Sequence, residues 1–279
     1  MKQLTHFIRQ HIGFTILLSL ILLILLVALL APVIAPMDPT ASNMANAFQP
    51  PSSEHLFGTD RLGRDVLSRV IWGTRTSVPW TLLLVGAVLV IGSFLGIAAG
   101  YFGGKIDAII MRIADMMISF PGMVLAIAVA GILGASIRNA VIALIVISWT
   151  KYARLSRSLV LKIRHQDYVY AAITTGSKTS YILRRYMLPN ALPTLIVTAV
   201  MDIGTMMLEL AGLSFLGFGA QPPTAEWGAM LNEGREFMLA YPWLMLFPGL
   251  AICIVVIIFN LFGDSLRDIL DSKAKNLYD

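Results

Sequence analysis

The chain has 279 residues, 57% of them hydrophobic and only 13% charged, which is more apolar side chain than one water-soluble core can bury, so a membrane protein is expected. Its net charge of +5 would suit nucleic acid, but the basic residues flank apolar runs and form no separate patch, which excludes that partner. The single cysteine, Cys253, lies inside an apolar run, excluding an internal disulfide and making a thiolate metal cluster implausible.

From the N-terminus, Lys2 and Arg9 precede an uncharged run, Ile12 to Met37, that is too long for a signal-peptide core; the sequence predicts a retained first helix. Further uncharged runs are Thr76 to Gly104, Met116 to Ile137 and Phe237 to Gly263. The four runs hold 26, 29, 22 and 27 residues, each enough to cross about 30 Å of hydrocarbon as a helix. Two more spans carry charges: Ile137 to Arg157 with Lys151 and Arg154, and Ala191 to Gly217 with Asp202 and Glu209. The expectation is therefore an all-α polytopic membrane protein with six transmembrane helices. Fifteen of the 21 Lys and Arg residues, including all seven lysines, fall on the side shared by both termini, which predicts cytoplasmic termini. The expected organisation is a helix plus extracytoplasmic segment over 1–75, a five-helix core over 76–268 with a cytoplasmic loop at 158–190, and a cytoplasmic tail over 269–279.

The longest outer segment, Asp38 to Arg75, opens with proline turns and continues as HLFGTDRLGRDVLSRVIWGTRTS, where Asp65 and Arg69 are spaced to pair on an entrance helix. His55 reads as a surface imidazole. At the inner start of the third span, Asp107, Arg112 and Asp115 suggest a boundary network, and Pro121 in ISFPGM a bend. Between Lys151 and Asn190 stand eight basic residues and one acidic residue, Asp167. Within that segment Ala172 and Gly176, four apart, would share a small helical face, and Pro189 in LPN would stop the helix. Gly-Ser-Lys-Thr at 176–179 lacks the spacing of a phosphate loop, and His6, His11, His55 and His165 form no metal-ligand pair. Asp202 and Glu209, seven apart, share one helical face and belong either to a pathway or to a helix interface. Met201, Met206 and Met207 read as packing, and PPTAEWGAMLNEGREF as a short bent element outside.

The pattern YVYAAITTG followed by LPN resembles the cytoplasmic coupling-loop signature of permease subunits in binding-protein-dependent ABC importers. HLFGTDRLGRDVLSR, PPTAEWGAML and FNLFGDSLRD are similar to segments of the dipeptide, oligopeptide and nickel branch, particularly its C-type permease. The resemblance implies a type I ABC importer permease fold in a bacterial inner membrane. It implies that Ala171, Ala172 and Gly176 lie in a coupling helix that docks on an ATP-binding subunit, closed by Leu188, Pro189 and Asn190. Tyr170 and Tyr186 stand where the family motif usually has glutamate and histidine. Gly58, Thr59, Asp60, Gly63, Arg64 and Asp65 match an extracytoplasmic element that shapes the entrance or meets the solute-binding protein. The implied partners are a homologous second permease, one or two ATP-binding subunits, a solute-binding protein and lipid. No cofactor is expected in this chain, with ATP and Mg2+ in the ATPases; the cargo is expected to be a peptide, nickel or a metal chelate. The alternatives are an ion-coupled carrier using Asp202 and Glu209, and a membrane scaffold without transport.

Overall fold

The computed structural model describes residues 11–275. The flank with Lys2, His6 and Arg9, and residues 276–279 of the expected tail, lie outside the described residues. The elements are α1 (Ile12–Ile34), α2 (Val66–Phe102), α3 (Gly104–Ile118), α4 (Gly122–Leu133), α5 (Ile137–Arg164), α6 (Asp167–Thr174), α7 (Thr179–Phe215), α8 (Trp227–Gly234) and α9 (Trp243–Lys275). The described residues contain no strand, only an isolated bridge between Thr59 and Asp65.

Four helices are long and apolar enough to span a membrane: α1, α2, α7 and the Trp243–Leu270 part of α9. The pair α3–α4 adds a fifth if its two arms, bent by 94°, form one span. The 28-residue α5 is also long, but Lys151, Arg154, Arg157, Lys162 and Arg164 lower its hydropathy. The molecule is thus an all-α polytopic membrane protein. Its outermost apolar surface is α1, where Leu22, Leu29 and Val33 are 57%, 73% and 81% exposed, as expected of side chains that meet lipid tails.

Two expectations are corrected, and a third, the bend at Pro121, is sharpened. The entrance helix and the second span are one 37-residue helix, because α2 starts at Val66 and runs through the anticipated boundary at 75. The uncharged run at 116–137 is not one straight span: Ser119, Phe120 and Pro121 break it, and Pro121 caps α4. Finally, LPN does not end a helix. The backbone widens into a π turn at Leu183–Met187 and continues as a helix through Pro189, whose missing amide hydrogen the wider turn accommodates.

The closest helix pair is α2 with α5. Gly92, Gly96 and Gly100, one turn apart, face Trp149, Ala153 and Arg157, and a Cβ at Gly92 would come within 2.5 Å of the Trp149 carbonyl oxygen. Backbones approach this closely only where side chains are absent. Around that seam Val78, Leu84, Val88, Tyr152, Leu195, Leu210 and Phe259 form the buried core with α7 and α9.

Candidate functional site

On the side of the basic segment, α5 ends at Arg164 and α6 follows after His165 and Gln166. Val169 and Ala172 are buried and seat α6 on the spans, while Tyr168, Tyr170 and Ile173 are nearly half exposed. Ala172 therefore faces inward and Ala171 outward. Gly176 is not on the helix: its φ of +79° ends it, with Gly176 N–H donating to Ile173 O and Ser177 N–H to Ala172 O. This is a Schellman motif, which requires a left-handed residue after the cap. The anticipated small face of Ala172 and Gly176 is therefore absent, since one residue is packed under the helix and the other lies beyond its end. An open depression of about 550 Å³ follows, lined by Lys178, Tyr181, Arg184 and Arg185 among others. Leu188, Pro189 and Asn190 are exposed on α7 just after its π turn, where Asn190 Nδ2 donates to Tyr186 O at 2.7 Å.

At the opposite end, Gly58, Thr59, Asp60, Gly63, Arg64 and Asp65 are all buried. Gly58 and Gly63 have φ of +73° and +72°, and any side chain there would collide with Gln49 and Trp243 or with Asn43. Asp60 accepts from Arg64 Nε at 2.6 Å, and Arg64 Nη2 donates to Glu233 of α8 at 2.6 Å. Arg69 Nη2 reaches the same Glu233 oxygen at 3.1 Å. Asp65 does not pair with Arg69 as its spacing predicts; it caps α2 by accepting from Ser68 N–H at 2.8 Å and meets His55 Nδ1 at 3.1 Å. His55 is 3% exposed, which corrects its reading as a surface imidazole. Burial favours these arrangements because unpaired charges there would be costly.

Two acids that the sequence reading passed over organise α8. Glu233 joins Arg64 and Arg69, contacts spanning more than 160 positions that no local pattern reveals. Glu226, 1% exposed, accepts from Gly228 N–H at 2.9 Å, Ala229 N–H at 2.8 Å and Ser77 Oγ at 3.1 Å. Burial pushes its pKa above the ordinary carboxylate value, while those donors oppose the shift. Its place directly before Trp227 and Gly228 was the available signal for a helix cap.

Within the spans, Asp202 is held by Lys151 Nζ at 2.6 and 2.8 Å and by the Tyr152 hydroxyl at 2.9 Å. That pairing leaves little free charge on Asp202 for the carrier alternative. Glu209 does not join the pair; it is half-buried on the same helix. The expected boundary network exists with different partners: Asp107 receives Arg157 at 2.5 and 2.6 Å, and Asp115 receives Arg154 at 2.6 Å, both from α5 instead of Arg112. Among the described residues, no group of three or more His, Cys, Asp or Glu side chains could hold a metal ion.

Comparison with known proteins bears on both ends. The family described as binding-protein-dependent transport system inner membrane component matches residues 92–276, and the N-terminal TM domain of oligopeptide transport permease C matches residues 6–51. A dipeptide transport system permease protein of Alkalihalophilus pseudofirmus is 45% identical over 84% of this chain and 77% of its own length. A nickel transport system permease protein of Escherichia coli K12 is 41% identical over 85% of each chain. A glutathione transport system permease protein of Pectobacterium atrosepticum is 46% identical over 81% of this chain and 75% of its own. In structure, a chain of the MetNI methionine ABC transporter in an inward-facing conformation superposes with a TM-score of 0.59 at 19% identity, covering 72% of this chain and 95% of that one. At that identity the likeness speaks for the fold alone.

Proposed function

We propose a division of labour from one premise: this chain belongs to the family of inner membrane components of binding-protein-dependent transport systems, and is a permease subunit of an ABC importer, not itself an enzyme. In this reading the chain forms half of a heterodimeric pathway in a bacterial inner membrane. It crosses six times, counting α1, α2, the bent α3–α4 pair, α5, α7 and α9, with both termini cytoplasmic. The asymmetry of Lys and Arg supports that orientation. A solute-binding protein delivers cargo outside, and two ATPases, holding ATP and Mg2+, close beneath. The relatives name dipeptide, glutathione and nickel as cargoes, and we take a peptide as the cargo class here, with nickel next.

The observation that carries the coupling role is the construction of α6. A helix of eight residues, anchored by buried Val169 and Ala172 and ended by Gly176, turns an exposed face of Tyr170, Ala171 and Ile173 away from the spans. Leu188, Pro189 and Asn190 close the segment on the exposed stretch of α7 just after the π turn. Gly58, Thr59, Asp60, Gly63, Arg64 and Asp65 serve as the frame of the outer entrance: being buried, they shape the surface that meets the binding protein instead of touching it.

The test is uptake by the assembled importer carrying Gly176→Val. A β-branched residue at positive φ strains the turn by about 1–2 kcal/mol, so α6 is misaimed while the spans insert normally. Uptake is expected to drop about 5- to 30-fold, taking 1.4 kcal/mol as tenfold on an equilibrium, with membrane levels unchanged. Full uptake in that variant sinks the coupling role. Recovery of the tagged chain without a second permease and ATPases sinks the assembly.

A further inference from the structure

The open face of α7 differs from that of a lipid-facing helix. On α1 the exposed positions include Leu22, Leu29 and Val33, whereas one side of α7 carries Thr194, Thr198, Thr205 and Glu209 at exposed or half-exposed positions, with Leu208 the large apolar side chain beside them and Leu192 and Ile196 on the opposite side. Spacings of four, seven and four keep these residues on one helical stripe. Lys151, whose side chain is 57% exposed, brings its ammonium to Asp202 beside the same stripe.

Register sets the depth. Gly204 lies against Asn260 and Gly263 against Met201, so α7 and α9 run antiparallel with Glu209 level with Val255. Val255 lies about 12 Å from the inner end of the uncharged Phe237 to Gly263 run, while the Lys151–Asp202 pair is next to that end. Glu209 makes no hydrogen bond or ion pair within 4 Å among the described residues. A carboxylate at that depth, without an in-chain partner, is not tolerated against hydrocarbon. The Thr hydroxyls satisfy themselves in part, as Thr198 Oγ1 does by donating to Thr194 O at 2.9 Å, so they tolerate water without demanding it.

Resting on the permease reading, we infer that this stripe is the wall of an aqueous vestibule that enters from the inner side, passes the Lys151–Asp202 pair, and reaches Glu209 near mid-membrane. Because Lys151 and Asp202 neutralise each other, Glu209 supplies the net charge of the wall. The vestibule therefore concentrates cationic solutes over anionic ones.

The test uses the assembled importer with Cys253→Ser, which removes the only thiol of this chain, and reads labelling on this chain after separating the subunits. Thr205→Cys and, as a lipid-facing reference, Leu22→Cys are treated from the cytoplasmic side of inverted vesicles with membrane-impermeant methanethiosulfonates, one cationic and one anionic. Thr205→Cys is expected to react at least about tenfold faster than Leu22→Cys, with the cationic reagent favoured by a similar factor. Adding Glu209→Gln is expected to abolish that charge preference. Labelling of Thr205→Cys no faster than Leu22→Cys, or a preference that survives Glu209→Gln, overturns the vestibule. ATP-driven release of solute loaded with its binding protein into the lumen of the same inverted vesicles keeps the outcomes distinct: release with an unreactive Thr205→Cys refutes the vestibule alone, and lack of release by the unsubstituted importer refutes the permease reading. Thr198→Cys, about two turns inward, gives a second reporter if Thr205→Cys fails to assemble, and the same comparison decides.

Discussion

Glu233 shows how a single side chain joins two elements. One of its oxygens serves both Arg64 and Arg69, each about 2% exposed or less, so Glu233→Ala leaves two buried guanidinium groups short of a counter-charge. Breaking such a network costs about 3 kcal/mol, and the unfolding midpoint of the purified complex should fall; an unchanged midpoint refutes the structural role. Glu226 carries a pH signature. Its folded pKa lies above the unfolded value, so its favourable contribution is complete below about 4.3 and is lost as pH rises through the folded pKa. The stability difference between the parent and Glu226→Gln should therefore shrink with rising pH, and a difference that grows from pH 5 to pH 8 contradicts the assignment. Neither acid stood out as a residue type: Glu233 pairs only through the fold, and the burial of Glu226 depends on α2, α7 and α9 closing around it.

Between elements, the glycine seam gives a paired prediction. Gly96→Ala places a methyl group against the Ala153 backbone and the Ser156 side chain and should cost about 1–3 kcal/mol, whereas Gly86 has open space and Gly86→Ala should be neutral or gain up to about 1 kcal/mol. Equal thermal shifts in the two variants would refute the seam. The sequence disclosed the apolar helices, because an uncharged run of this length leaves the backbone no other way to satisfy its hydrogen bonds in lipid. It disclosed the bend at Pro121 but not its sharpness, and it misplaced the end of helix at Pro189. Proline rules describe a regular α-helix, and a π turn lies outside them. The spacing of Ala172 and Gly176 was read as one surface because helix periodicity was extended one turn past its end. The left-handed preference of Gly176 was the competing signal, and it won.

For the molecule as a whole, the segments differ in how firmly they are held. The facing sides of α2 and α5 are sealed against each other, while α6 and the Lys178–Arg185 stretch expose most of their side chains. Amide exchange should be fastest in α6 and that stretch when the ATPases are stripped from the purified permease pair, and should slow there on reassembly. Protection that appears elsewhere, with none in α6, would contradict the docking role. The uncharged runs made the apolar helices legible, but the pairing of Lys151 with Asp202 and the open stripe on α7 depend on which helices become neighbours, which composition does not encode.

The glycine seam also has a mechanical meaning. With α2 and α5 fused along their length, the pair is a stiff lever: α6 hangs from its inner end, and its outer end is gripped by Trp227, whose indole N–H donates to Val70 O at 2.9 Å. Since α5 has 28 residues, the arm is about 42 Å long, and a tilt of about 10° about its midpoint displaces each tip by roughly 4 Å in opposite directions. Under the proposed coupling role, a pull on α6 would move the opposite end of the pair by a similar distance the other way, without any helix bending between them.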